Sequence, residues 1–150
     1  MPILTTKDTT WFNVALLASP NRRFAEVTSS DYVPELLARG KARAQAEDLP
    51  MRFVEADAEV LPFEDASFDH VTSTFGAMFA PDHVTTATEM LRVVKPGGTI
   101  GMANWTPDSF IGQLFKVMGS HVTPPAGVTP PPMWGTHEHL DRLFADARKV

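Results

Sequence analysis

Between Phe24 and Trp105 the chain alternates between short β-branched runs and longer runs with a helical period. "FAEVTSS" (Phe24 to Ser30), "MRFVEA" (Met51 to Ala56), "FDHVTSTF" (Phe68 to Phe75) and "GTIGMANW" (Gly98 to Trp105) have the apolar and β-branched character of strands. "PELLARGKARAQAED" separates the first two, with Pro34 well placed in a first helical turn. "HVTTATEMLRVV" separates the last two and repeats apolar residues at Val84, Ala87, Met90, Leu91 and Val94. Strands spaced by helices predict an α/β fold, a mostly parallel sheet with helices on both faces. In such sheets ligands bind beyond the carboxyl ends of the strands.

Punctuation supports these boundaries. Lys95-Pro96-Gly97-Gly98 stops a helix twice over, because proline cannot continue it and glycine accepts positive φ. Gly40 weakens the first of the two helices by about 1 kcal/mol relative to alanine. "WFNVALLA" reads as a short helix closed by Ser19-Pro20-Asn21, and "SFIGQLFKVMG" as an amphipathic one. Five prolines crowd into "TPPAGVTPPPMWG" (123–135), which predicts a stiff surface loop or lid, neither helix nor central strand. Thr136 is placed to cap a last helix, "HEHLDRLFADARKV", with Glu138 near its positive end.

Composition narrows the function. A chain of 150 residues with 43% hydrophobic content fits one domain with a real core. A net charge of -5 argues against a nucleic-acid partner or an anionic membrane, since both need a basic face. The absence of cysteine excludes disulfides, thiolate metal sites and cysteine nucleophiles. No apolar run reaches the roughly 20 residues of a membrane span, so a cytoplasmic protein is expected. The histidines are scattered; His137 and His139 diverge on a helix and make poor joint metal ligands, so no metal is expected.

The strand ends carry the candidate ligand groups. Asp31 closes the first run, where a carboxylate can accept from both hydroxyls of a ribose or simply cap a turn before Pro34. Asp57 closes the second and, with the backbone N–H of Ala58, can read an adenine edge. Its neighbours Glu55, Glu59, Glu64 and Asp65 read as solvated loop acids. Phe75, Met78 and Phe79 can line a pocket or belong to the core.

Together "VTSSDYVPELLARGKARA", "RFVEADAEVLPFEDASFDHVTSTFGAMFAPD" and "EMLRVVKPGGTIGMANW" resemble the class I S-adenosylmethionine-dependent methyltransferases, and most of all the ubiquinone/menaquinone-biosynthesis-like (type 11) branch. The resemblance runs from about Asn13 onward, so residues 1–12 form a divergent segment. It implies a Rossmann-like fold, S-adenosylmethionine as cofactor and a small-molecule acceptor. It assigns Asp31 to the ribose, Tyr32 or Val33 to adenine packing, and Asp57 with the Ala58 N–H to the adenine edge. Ser73, Thr74 and Phe75 would line the methionine side. Trp105, Phe110 and Phe115, with the proline-rich segment, would form a lid over an apolar acceptor. The activated methyl does not demand a base, and His83 and His121, the candidates for one, read first as solvated side chains.

The pattern departs from the family at both ends. Where relatives carry a glycine-rich turn after a first strand, this chain has "ILTTKDTTWF", with Asp8 as a lone acid and Trp11 and Phe12 where backbone must approach the cofactor. The C-terminal strands of the family have no counterpart, so the sheet is expected to be truncated at both ends and the chain to be a fragment. An open sheet edge of that kind invites self-association. Two other functions stay open: a methyltransferase-like module that binds without turnover, and a nicotinamide-dependent oxidoreductase.

Overall fold

A computed structural model describes residues 26–122 and 127–147. The expected helix "WFNVALLA", and the expectations attached to Asp8, Trp11 and Phe12, lie outside the described residues. Strand β1 (Val27–Asp31) is followed by helix α1 (Pro34–Ala46) and strand β2 (Met51–Glu55). Strand β3 (Phe68–Thr74), helix α2 (His83–Val93) and strand β4 (Val94–Ala103) form a second such unit. Helices α3 (Phe110–His121) and α4 (His137–Leu143) complete the order, with 3-10 turns at Ala77–Phe79 and Pro131–Gly135.

Both strand pairs are parallel. β1 and β2 run in register from Val27 opposite Met51 to Asp31 opposite Glu55. β3 and β4 end with Thr74 opposite Ala103. Each pair is joined through a helix, as the alternation requires. α1 starts at Pro34, whose missing N–H costs nothing in a first turn. Gly40 has a packing reason: a β-carbon there would sit 3.1 Å from the Phe53 ring of β2. α2 is capped by Asp82, whose Oδ1 accepts from the N–H groups of Val84 (2.9 Å) and Thr85 (3.0 Å).

Several boundaries differ from expectation. β4 begins at Val94, directly after α2, and takes Lys95 to Gly98 into the strand with a register shift opposite Phe68 to His70. Gly97 adopts φ +79, the positive value expected of it, but inside an irregular strand and not in a loop. α4 ends at Leu143, short of the expected helix to the C-terminus. Thr136 does not cap it; the hydroxyl donates to the Met133 carbonyl instead, at 2.8 Å. Val84, expected on the apolar stripe of α2, is 66% exposed, and the buried face is His83, Thr86, Ala87, Met90 and Val93.

The proline-rich segment differs most. Where described, it is no surface loop: Pro131–Gly135 forms a 3-10 turn that buries Pro132 and Trp134. The Trp134 indole is fully buried with Met78 and Met90 in the larger core, which also holds Val71 of β3 and Phe144 beyond α4. A proline-flanked turn suits this role, since its fixed φ reduces the entropy lost on ordering.

The acidic stretch after β2 is pinned to α2 by one cation. The Arg92 guanidinium donates to Glu89 (2.6 and 2.7 Å), Asp65 (2.8 Å) and the carbonyls of Phe63 (2.7 Å) and Leu61 (2.9 Å). Glu89 in turn accepts from the Leu61 N–H at 2.8 Å. Arg92 holds the Glu89 carboxyl below its usual range, and its own pKa is raised by the same bonds. Asp65 is a solvated loop acid as expected, 79% exposed, and also reaches this clamp through Arg92. Asp69 pairs with Lys95 at 2.9 Å, and Glu59 accepts from the Asp82 N–H at 2.7 Å.

Candidate functional site

The carboxyl ends of β1 and β2 meet directly. The Ala56 N–H donates to the Asp31 carbonyl at 3.0 Å, which sets Asp31 beside the turn that carries Asp57. Because the pair is parallel and in register, both acids belong to one edge of the sheet. Asp31 is fully buried, and its Oδ1 accepts from the Val33 N–H at 2.8 Å, so it also works as the turn residue before α1. A ribose reaches it only by displacing the groups that cover it. Tyr32 is 58% exposed, free to swing over a base, while Val33 is half-buried.

Asp57 opens a tight turn: its carbonyl accepts from the Val60 N–H at 3.1 Å and its Oδ1 from the Glu59 N–H at 3.0 Å. Ala58, inside that turn, is fully buried, and no acceptor among the described residues takes its N–H. Buried backbone donors are nearly always paired, so an open one beside a carboxylate suits a ligand acceptor. An adenine edge offers that pair of functions, an amine for the acid and a ring nitrogen for the N–H. The residues present fit the group on this count.

β3 and β4 pair apart from β1 and β2 among the described residues, and their carboxyl ends carry the remaining candidates. Ser73 and Thr74 are buried, and the Ser73 hydroxyl accepts from the Ala77 N–H at 3.0 Å. Ser73 is therefore committed to holding the 3-10 turn that follows the strand. Phe75 sits at φ +60, a costly conformation for a bulky residue, locked by its N–H to the Ala103 carbonyl at 2.8 Å. Its ring stacks on Trp105 with centroids 4.5 Å apart. The buried Oδ1 of Asn104, next to Trp105 in sequence, has no hydrogen-bond partner among the described residues. Of the expected lid, Trp105 is thus tied to Phe75, Phe115 meets Phe79 edge-on at 6.0 Å, and Phe110 is 81% exposed.

Of the two histidines, His83 departs from expectation. It is buried, with 2% exposure, and not a solvated side chain; its Nδ1 lies 2.9 Å from His139 Nε2. His121 is exposed at the end of α3. No group of three or more potential metal ligands occurs among the described residues. No helix among them is long and apolar enough to cross a membrane. Sequence reasoning missed Asn104, the strain at Phe75 and the histidine pair. Only the position of Asn104, directly after the last strand, gave any signal.

The methyltransferase domain family matches residues 12–102. An uncharacterized protein of Mycobacterium tuberculosis is 46% identical over 123 residues, 81% of this chain and 45% of its own length. A demethylmenaquinone methyltransferase of Deinococcus radiodurans is 38% identical over 104 residues, 68% of this chain and 43% of its own. The chain thus spans about half the length of the curated relatives it matches. Among solved structures, a SAM-dependent methyltransferase from Aquifex aeolicus superposes with a TM-score of 0.66 over 90% of this chain and 66% of its own, at 15% identity. That likeness shows the Rossmann-like fold. By the family match and by the relatives, this chain belongs to the methyltransferase domain family, in the class I type 11 branch.

Proposed function

We propose that the chain takes S-adenosylmethionine at the carboxyl edge of its strands and transfers the methyl group to a small apolar acceptor. When bound, the cofactor supplies a methyl already activated on a sulfonium, so the protein contributes placement more than acid–base chemistry. Asp31 and Asp57 would hold the ribose and the adenine amine, with the Ala58 N–H on the ring nitrogen and Tyr32 over the base. Ser73 and Thr74 would border the methionine side. The observation that carries this reading is the bond from the Ala56 N–H to the Asp31 carbonyl, which puts both acids on one edge.

The full burial of Asp31 favours a second reading, a family member that holds ligands poorly or not at all and acts as a binding module. Self-association through an open sheet edge is part of that reading, supported by β2, which pairs with β1 alone among the described strands.

Calorimetric titration with S-adenosylmethionine and, separately, NAD tests both. Methyl transfer predicts weak binding of the first, at least tenfold weaker in Asp57→Ala and in Asp31→Ala. Silence with both ligands at millimolar concentration selects the module, and tight NAD binding overturns the cofactor assignment.

A further inference from the structure

A cavity of about 470 Å³ opens between the start of α2, the proline-rich segment and α4. Its volume lies within the range of small-molecule sites. Val84, Pro130, Met133 and Leu143 supply apolar wall, and Thr129, His139 and Arg142 supply the polar groups. None of these is a strand-end residue, so the cavity is separate from the carboxylates that would hold a cofactor.

Its electrostatics are one-signed. Arg142 is exposed, and no carboxylate pairs with it among the described residues. Among the described lining residues the one formal charge is therefore a cation with a fork of donors.

The histidine pair adds a neutral donor. His83 Nε2 is buried without a partner among the described residues, and His83 Nδ1 faces His139 Nε2 at 2.9 Å. If His83 Nδ1 were the acceptor, the hydrogen of His83 would sit on the orphan Nε2, leaving a buried N–H unpaired. Placing it on Nδ1 instead leaves only an idle lone pair. His139 Nε2 is then the acceptor, and His139 carries its own hydrogen on Nδ1, which no protein group takes among the described residues.

We propose that this cavity binds a small apolar carboxylic acid, its hydrocarbon body against Val84, Pro130, Met133 and Leu143 and its carboxylate on Arg142 and the His139 Nδ1–H. The wall and the charge ask for different halves of one amphipathic anion. S-adenosylmethionine also carries a carboxylate, but its ammonium, sulfonium and polar nucleoside do not suit the apolar wall, which sets this ligand apart from the cofactor.

Calorimetry on the full chain with 2-naphthoate and its neutral amide, 2-naphthamide, tests the site. The wild type should bind the acid at least fivefold more tightly than the amide, about the value of one exposed charge pair. Arg142→Gln should lower the acid to the level of the amide and leave the amide unchanged. Val84→Trp, at an exposed position on the rim, should weaken both at least tenfold by filling the space. Equal affinity for acid and amide, no heat with either, or an Arg142→Gln chain that binds the acid as the wild type does would each overturn the proposal.

Discussion

The Nδ1 of His83 lies 2.9 Å from the Nε2 of His139, tying the first turn of α2 to α4 beside the buried indole of Trp134. Burial, with His139 adding to it and Asp82 opposing, pulls the His83 pKa down to about 4 from an ordinary 6.5. Burial and then Arg142 lower that of His139. The folded pair is therefore neutral where an unfolded histidine already takes up a proton.

It follows that stability falls as the pH drops through the window from 6.5 to about 4, and is held above it. The loss should reach about 2 kcal/mol from His83, less than the full shift implies, because local opening relieves it. Urea denaturation at pH 7.5 and 4.5 measures it. His139→Gln should flatten the dependence; a variant with the slope of the wild type would contradict the account.

Arg92 should prove far more costly to lose than any single acid it holds. Arg92→Met leaves Glu89, itself only 15% exposed, and two carbonyls without their donor, at about 3 kcal/mol. Asp65 is 79% exposed, so Asp65→Asn should cost under about 1 kcal/mol. Comparable losses in chemical denaturation would show that the clamp is not centred on the guanidinium.

Gly135 packs against backbone: a β-carbon there would lie 2.3 Å from the Trp105 carbonyl oxygen. Neither partner is a side chain that can turn aside. Gly135→Ala should therefore lift the segment from Pro131 onward off the sheet edge, with a loss above about 2 kcal/mol. Limited proteolysis should then cut between Gly127 and Ala147 under conditions where the wild type resists.

At Phe75 two small residues should rank against custom. Both Phe75→Ala and Phe75→Gly lose the stack on Trp105, about 1 kcal/mol, together with buried ring area. Only glycine is at ease at φ +60, so the glycine variant should melt higher than the alanine one by an equivalent of about 1 kcal/mol. The reverse order by calorimetric scanning would mean that the backbone relaxes once the ring is gone.

The alternating elements were legible because their signals are local: Pro34 opens α1, and period and cap mark α2. Where tertiary contact decides, the sequence misled. The run Lys95 to Gly98 does end α2, at Val93, but its place inside a strand was not legible; β3 pairs on either side of it, with Val94 and Thr99. The prolines at 130–132 look like solvent-facing loop, yet the large apolar area of Trp134 pulls their turn inward. His83 follows a helix cap, ordinarily a wet position, and is buried only because His139, 56 residues later, comes back to meet it. At the candidate cofactor edge, the acids at strand ends could be placed from alternation alone. The open N–H of Ala58 could not, since it arises from the turn that Asp57 and Val60 close.

The clamp around Arg92 bears on how chains of this lineage are recognised. The two most diagnostic stretches, the acidic one through Asp65 and the basic one through Lys95, touch each other through Arg92–Asp65 and Lys95–Asp69. A descendant that had given up chemistry would still keep both for as long as it needed to stay folded. Their joint presence is in that sense a signature of architecture, and it would outlast any change at the strand tips that left these ion pairs in place.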